Sequence, residues 1–116
     1  MFRRGSKYGS RRTGGFHSKF EASVYQSLKD REIKGEIKNL KTQVQVYMTR
    51  AKILYKPDFS YEENGETVYL EAKGFETDVW RIKRRLWKYY GPGKLIVVKG
   101  SRHSFDVHEV IEVVHD

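Results

Sequence analysis

Cysteine is missing altogether from the 116 residues. Its absence removes a disulfide scaffold, a thiolate metal site and a cysteine nucleophile together. No apolar run approaches the ~18 residues that a membrane-spanning helix requires. The start, Met1-Phe2-Arg3-Arg4, is basic, but Gly, Ser, Tyr and more Arg follow it, not the apolar stretch of a secretory signal. No internal repeat is present. These absences point to a soluble, cytoplasmic chain without a membrane partner. With 38% hydrophobic and 14% aromatic residues, the chain can build one hydrophobic core. It is too short to hold a second domain of ordinary size.

What is plentiful is positive charge. Lys and Arg number 23 against 15 Asp and Glu, a formal net charge of +8. Basic chains of this kind meet polyanions, and nucleic acid is the expected partner; a basic surface that serves only solubility is the alternative. Residues 1–17 hold Arg3, Arg4, Lys7, Arg11 and Arg12, no acid and four glycines. Such a segment buries little and reads as a mobile basic arm for phosphate contact, or as a solubilising tail. A single folded domain is expected over 18–116.

Ser18-Lys19-Phe20-Glu21 has the form of a capping box, so a helix is expected from Ser18 to about Glu32. At about 3.6 residues per turn, Phe20, Val24, Tyr25 and Leu28 share one apolar face, and Glu21 falls in its middle. A strand is expected over 37–45, a second over 53–62 and a third over 66–73. The last two are joined by Asn64-Gly65, a strong type I′ hairpin signal. Thr77 can cap a second helix reaching Tyr90, on which Val79, Ile82, Leu86 and Tyr89/Tyr90 recur at helical spacing. Gly91-Pro92-Gly93 ends it. A buried strand follows at 94–99. The last segment fits a helix through Val107, Val110, Ile111 and Val114, while its β-branched content favours a strand; helix is the expectation. The fold class expected is α/β (α+β), a mixed sheet flanked by helices.

The hairpin arranges the chemistry. With Asn64-Gly65 as the loop, Glu63 pairs with Glu66, Asp58 comes opposite Glu71 and Lys56 opposite Lys73. Period-two alternation then puts Asp58, Glu71 and Lys73 on one face, and the pairs Pro57/Ala72, Phe59/Leu70 and Tyr61/Val68 on the core face. Opposed carboxylates repel, and a divalent cation reverses that sign. Mg²⁺ takes oxygen ligands, so Asp58, Glu71 and the Ala72 carbonyl suit it. Lys73 beside them can hold and help deprotonate a water aimed at phosphorus. A solvated charged strand face is the plainer alternative. Glu21 adds a third carboxylate: it can close the capping box, ligate, or do both, but an unpartnered charge amid an apolar helix face would be costly.

Glu21 on a first helix, then Pro57-Asp58, then Glu71-Ala72-Lys73 after a hairpin, resembles the PD-(D/E)xK nuclease superfamily. The stretches from Phe16 to Ala22, from Tyr55 to Phe59 and from Glu71 to Phe75 are similar to phage endonuclease I and the archaeal-type Holliday junction resolvases. The resemblance spans about residues 16–99. It implies a restriction-endonuclease-like mixed sheet, Mg²⁺- or Mn²⁺-dependent phosphodiester hydrolysis leaving a 5′-phosphate and a 3′-hydroxyl, and a homodimer that cuts branched, four-way-junction DNA. It makes Glu21, Asp58 and Glu71 ligands of the metal or its water and Lys73 the catalytic lysine. Lys19, Lys56, Arg81, Arg84 and Arg85 join the arm as candidate DNA contacts, with Lys83 and Lys88 on the same helix. Trp80, Trp87, Tyr89 and Tyr90 are read as core or dimer contacts before base-stacking groups, with Trp80 or Trp87 and Tyr90 as interface anchors. The four histidines show no ligand spacing. A non-catalytic nucleic-acid-binding module, and a nuclease of ordinary duplex or single strands, are the competing readings.

Overall fold

The computed structural model describes residues 18–114; the expected arm and its five basic residues lie outside them. Ser18 has extended backbone, and its Oγ accepts the Glu21 N–H at 3.0 Å. That cap starts α1, Lys19–Ile33, which buries Val24 and Leu28. Strand β1, Lys38–Thr42, stops sooner than its composition predicts. Gln43 takes a left-handed φ of 52° and turns the chain, so Val46–Met48 (β2) leaves the sheet. It pairs only with β3, Ile53–Tyr55, across a turn in which the Lys52 N–H donates to the Thr49 carbonyl at 3.1 Å. The single strand expected over 53–62 is likewise two. Lys56-Pro57-Asp58 separates β3 from β4, Phe59–Glu63, since Pro57 has no N–H for a ladder.

The hairpin from β4 to β5, Glu66–Ala72, keeps the predicted register, from Glu63 opposite Glu66 to Phe59 opposite Leu70. Asn64 and Gly65 have φ of 54° and 78°, as a type I′ turn requires. From β5 the chain crosses through α2, Asp78–Tyr90, to β6, Leu95–Gly100, which runs parallel to β5. The last segment is not the expected helix but β7, Phe105–Ile111, antiparallel to β6. Pairing with an open sheet edge rewards β-branched residues, and the two sides of a strand divide what a helix would have gathered. Ile111 is buried at 4% exposure, while Val110 on the other side is 47% exposed. The five-stranded sheet has the order β1-β4-β5-β6-β7. The architecture is therefore the expected mixed α+β one.

Both faces of the sheet carry apolar cores. Under α1 lie Val24, Leu28, Ile37, Phe59, Tyr61, Val68, Leu70 and Val98. On the opposite face α2 and the β2–β3 hairpin cover Leu95, Val97 and Ile111 with Val46, Met48, Tyr55, Trp80 and Trp87. The charged side inferred from alternation is thus confined to one end of a second core. The face of α2 differs too. Trp80 and Trp87 are 4% and 0% exposed, whereas Val79, Ile82, Tyr89 and Tyr90 stand 62%, 58%, 59% and 54% exposed. Two indoles bury more area than the smaller aliphatics they displace. Trp87 also satisfies its Nε1–H on the Gly93 carbonyl at 2.7 Å and packs edge-on to Tyr69 with ring centres 5.1 Å apart. Neither Trp80 nor Trp87 is available as an interface anchor or a base-stacking group.

Gly91, the residue that ends α2, has φ −69°, which any residue adopts. Its lack of a side chain matters for space: a Cβ there would lie 2.5 Å from a ring carbon of Trp87. Gly91→Ala is expected to lower stability by about 1–3 kcal/mol, as overpacking does. Urea unfolding measures this, and an unchanged midpoint would mean that the indole shifts without loss.

Candidate active site

The site lies where β4 begins and β5 ends. The ladder stops at Phe59 and Leu70, so Asp58 is not in backbone register with Glu71 and Lys56 is not opposite Lys73, because Pro57 has already broken the strand. Asp58 reaches across with its side chain instead: Oδ2 accepts the Ala72 N–H at 2.8 Å. The Lys73 N–H is taken by the Val98 carbonyl at 3.0 Å. Glu71 is 7% exposed; its Oε1 accepts the Tyr55 hydroxyl at 2.6 Å and its Oε2 lies 3.2 Å from Lys73 Nζ. That ammonium also sits 4.6 Å from the centre of the Trp80 ring, a cation–π contact that restricts it further.

Glu21 comes to the group from α1. Its Oε2 accepts from Gln43 Nε2 at 3.3 Å, and the Gln43 N–H donates to the Asp58 carbonyl at 2.9 Å. The left-handed turn at Gln43 therefore ties the helix start to the strand start. Burial first, then the Glu71 and Glu21 carboxylates, push the Asp58 carboxyl up to about 8, against the Ala72 N–H and Lys73. Glu71 is also raised, by burial chiefly and by Glu21, while Tyr55 and Lys73 oppose the shift. Three carboxyl groups thus share one ammonium.

Gln43 and Tyr55 are members of the site that sequence reasoning missed. Gln43 sat inside an expected strand, and its role depends on a backbone turn that no residue there announces. Tyr55 stands out in the sequence only as part of a resembling stretch, and only the hairpin's packing brings it to Glu71. Residues 6–104 match the family described as "Protein of unknown function (DUF1064)". The chain belongs to the DUF1064 family. No curated protein matches it. It is similar to the solved "Crystal structure of SSO0001" at 18% identity and a TM-score of 0.44, over 82% of this chain and 52% of that one. The chain thus spans about half the length of that protein.

Of the predicted DNA contacts within the described part of this DUF1064 chain, Lys19 and Lys56 are exposed. Arg84 is held by Glu109 of β7 through a two-pronged ion pair, with Nε 2.8 Å from Oε1. Arg81 pairs with Asp78 at 3.1 Å and Glu76 at 3.5 Å. Lys83 donates to the Leu54 carbonyl at 2.6 Å. Arg84 and Lys83 thus have partners within the fold, while Arg85 and Lys88 have no ion pair among the described residues.

Among the described residues no three carboxylates or imidazoles are gathered closely enough to hold a cation as they stand. The donor set nevertheless suits a hard divalent ion: it is all oxygen and mutually repelling, with Asp58 and Glu71 raised by burial first and by neighbouring carboxylates second. Without such an ion, the folded chain holds a proton on Asp58 that the unfolded chain, at 3.8, releases. The contribution of Asp58 to stability is then fully present below pH ~4 and is lost as pH rises toward ~8. Asp58→Asn is expected to flatten that decline and raise the melting temperature at pH 8 by ~4 °C or more in chelator. Thermal scans from pH ~4 to ~9 measure it, and an equally steep decline in the variant would assign the slope to other groups.

Proposed function

We propose that the chain is a divalent-metal-dependent endonuclease acting on branched DNA, specifically a Holliday junction resolvase. The observation that carries the reading is the meeting of Asp58, Glu71 and Lys73 at one end of β4 and β5, with Glu21 linked to them through Gln43. The net charge of +8 and the resemblance of Pro57-Asp58 and Glu71-Ala72-Lys73 to the PD-(D/E)xK nucleases support it. In the reaction, a water oxygen bonds to phosphorus, the bond from phosphorus to the 3′-oxygen breaks, and a 5′-phosphate and a 3′-hydroxyl remain. A Mg²⁺ or Mn²⁺ ion held by Glu21, Asp58, Glu71 and the Ala72 carbonyl would supply charge neutralisation and polarisation of the phosphate. Lys73, fixed between Glu71 and Trp80, orients the water. Lys19, Lys56, Arg85 and Lys88 contact phosphates, which makes affinity fall with salt.

A labelled four-way junction beside linear duplex of the same sequence, with Mg²⁺ and with chelator, tests the reading. Paired cuts in the junction alone, dependent on Mg²⁺, are expected. Asp58→Asn and Glu71→Gln should reduce cleavage at least ~10²-fold while leaving junction binding intact, since the basic surface is untouched. Binding without cleavage by the wild-type chain would leave a binding module instead, and equal cutting of duplex would leave a nuclease without branch preference.

A four-way junction is two-fold symmetric, and one active site makes one cut, so the working form in this reading is a homodimer. The anchors cannot be Trp80 or Trp87. Val79, Ile82, Leu86 and Tyr89 are spaced three, four and three apart, the spacing of a helix–helix seam, and all but Leu86 are more than half exposed. Antiparallel pairing of two α2 helices would set Val79 against Tyr89 and Ile82 against Leu86. It would also face Arg85 with its own copy, so self-association should strengthen as salt is added. Sedimentation velocity at rising salt is expected to show the dimer, and Ile82→Glu to abolish it. A wild-type chain that stays monomeric with and without junction would remove the paired-cut mechanism.

A further inference from the structure

Tyr55 enters the site from outside the sheet that builds it. It ends β3, and its hydroxyl crosses to Glu71 Oε1, 2.6 Å away and 16 residues on in the chain. The ring is 7% exposed and lies against Trp80 and Trp87 with ring centres 6.0 and 5.7 Å apart. Rings packed on two sides leave the hydroxyl little freedom of direction. The β2–β3 hairpin that carries it pairs with no other strand, and an isolated two-stranded hairpin is marginal at best. Packing holds it in place: Val46 and Met48 are buried in the same core, and Lys83 of α2 donates to the Leu54 carbonyl, next to Tyr55, at 2.6 Å.

A glutamate's terminal torsion is broad, so an unheld carboxylate turns readily about its last bond. Holding one oxygen fixes where the other points. We infer that Tyr55 is a positioning residue: its hydroxyl holds Glu71 so that Oε2 faces Lys73 and the divalent cation, and the β2–β3 hairpin serves to deliver that hydroxyl. The inference rests on the nuclease reading of the site. Outer partners that orient a metal-ligating group commonly contribute 10–100-fold to affinity or activity. Lys73 approaches the same carboxylate from the other oxygen, so loss of the phenol leaves Glu71 with one partner and a rotation toward that lysine.

The chain has two tryptophans, both packed on Tyr55, so quenching of their emission by Mn²⁺ alone reports binding directly. The full chain, Tyr55→Phe and Tyr61→Phe are titrated with Mn²⁺, and junction cleavage is followed at limiting and saturating Mn²⁺. Tyr61 is a buried tyrosine of the other core, 2% exposed, and controls for the mere loss of a hydroxyl. Tyr55→Phe is expected to bind Mn²⁺ ~10–100-fold more weakly and to regain cleavage as Mn²⁺ rises. Tyr61→Phe should keep wild-type Mn²⁺ affinity even if its melting temperature falls. Wild-type affinity in Tyr55→Phe, while the unaltered chain binds Mn²⁺ and cuts, overturns the inference and leaves the nuclease reading standing. Failure of the unaltered chain to bind Mn²⁺ overturns both.

Discussion

Three carboxylates share one partly buried end of this sheet, and their mutual repulsion is the constraint around which the neighbouring elements are arranged. Each is given a donor. The Ala72 N–H serves Asp58, the Tyr55 hydroxyl and Lys73 serve Glu71, and Gln43 serves Glu21. Those donors come from the turn after β1, the end of β5 and a hairpin that belongs to no larger sheet. Even so, burial first and the other two carboxylates second push the Asp58 carboxyl up to about 8. A chain selected for stability alone would place uncharged or apolar groups here. In the proposed reading, a divalent cation would relieve that repulsion.

The second core touches that arrangement at two points. Trp80 and Trp87 are one helical stripe of α2, and they press on the hairpin through Tyr55 and on the sheet through Tyr69. Trp80 is also the surface on which the Lys73 ammonium rests. One helix thus braces two members of the site, the lysine directly and Glu71 through Tyr55. Because α2 spends its indoles inward, Val79, Ile82 and Tyr89 are left outward, while Leu86 between them still packs against the core. The same choice of side chains both braces the site and leaves apolar residues of α2 exposed.

Charge is distributed with a similar division. Arg84 and Lys83 are committed inside the fold, to Glu109 and to the Leu54 carbonyl, whereas Lys19, Lys56, Arg85 and Lys88 stay on the surface. A basic helix is therefore not a uniform phosphate-binding face. Arginine's planar fork suits a bidentate carboxylate pair, and Arg84 joins α2 to the edge strand β7 in that way. The cations on the surface near the site's own elements, Lys19 before Glu21 and Lys56 before Asp58, are set by their neighbours in sequence.

Local chemistry in the sequence determined a good deal of this. Ser18 and Thr77 start the two helices because their hydroxyls accept the N–H three residues on. Asn64-Gly65 sets the register of β4 on β5 because both residues tolerate positive φ, and that register brings Asp58 beside the end of β5. Contacts between distant segments decided the rest. Which stripe of α2 faces inward depended on two indoles finding Tyr55 and Tyr69. Whether residues 105–111 became strand or helix depended on the open edge of β6, since a free edge supplies the hydrogen bonds that a helix would otherwise supply itself. Tyr55 and Gln43 reached the carboxylates only through a hairpin's packing and a left-handed turn, and neither is visible in a pattern of neighbouring residues.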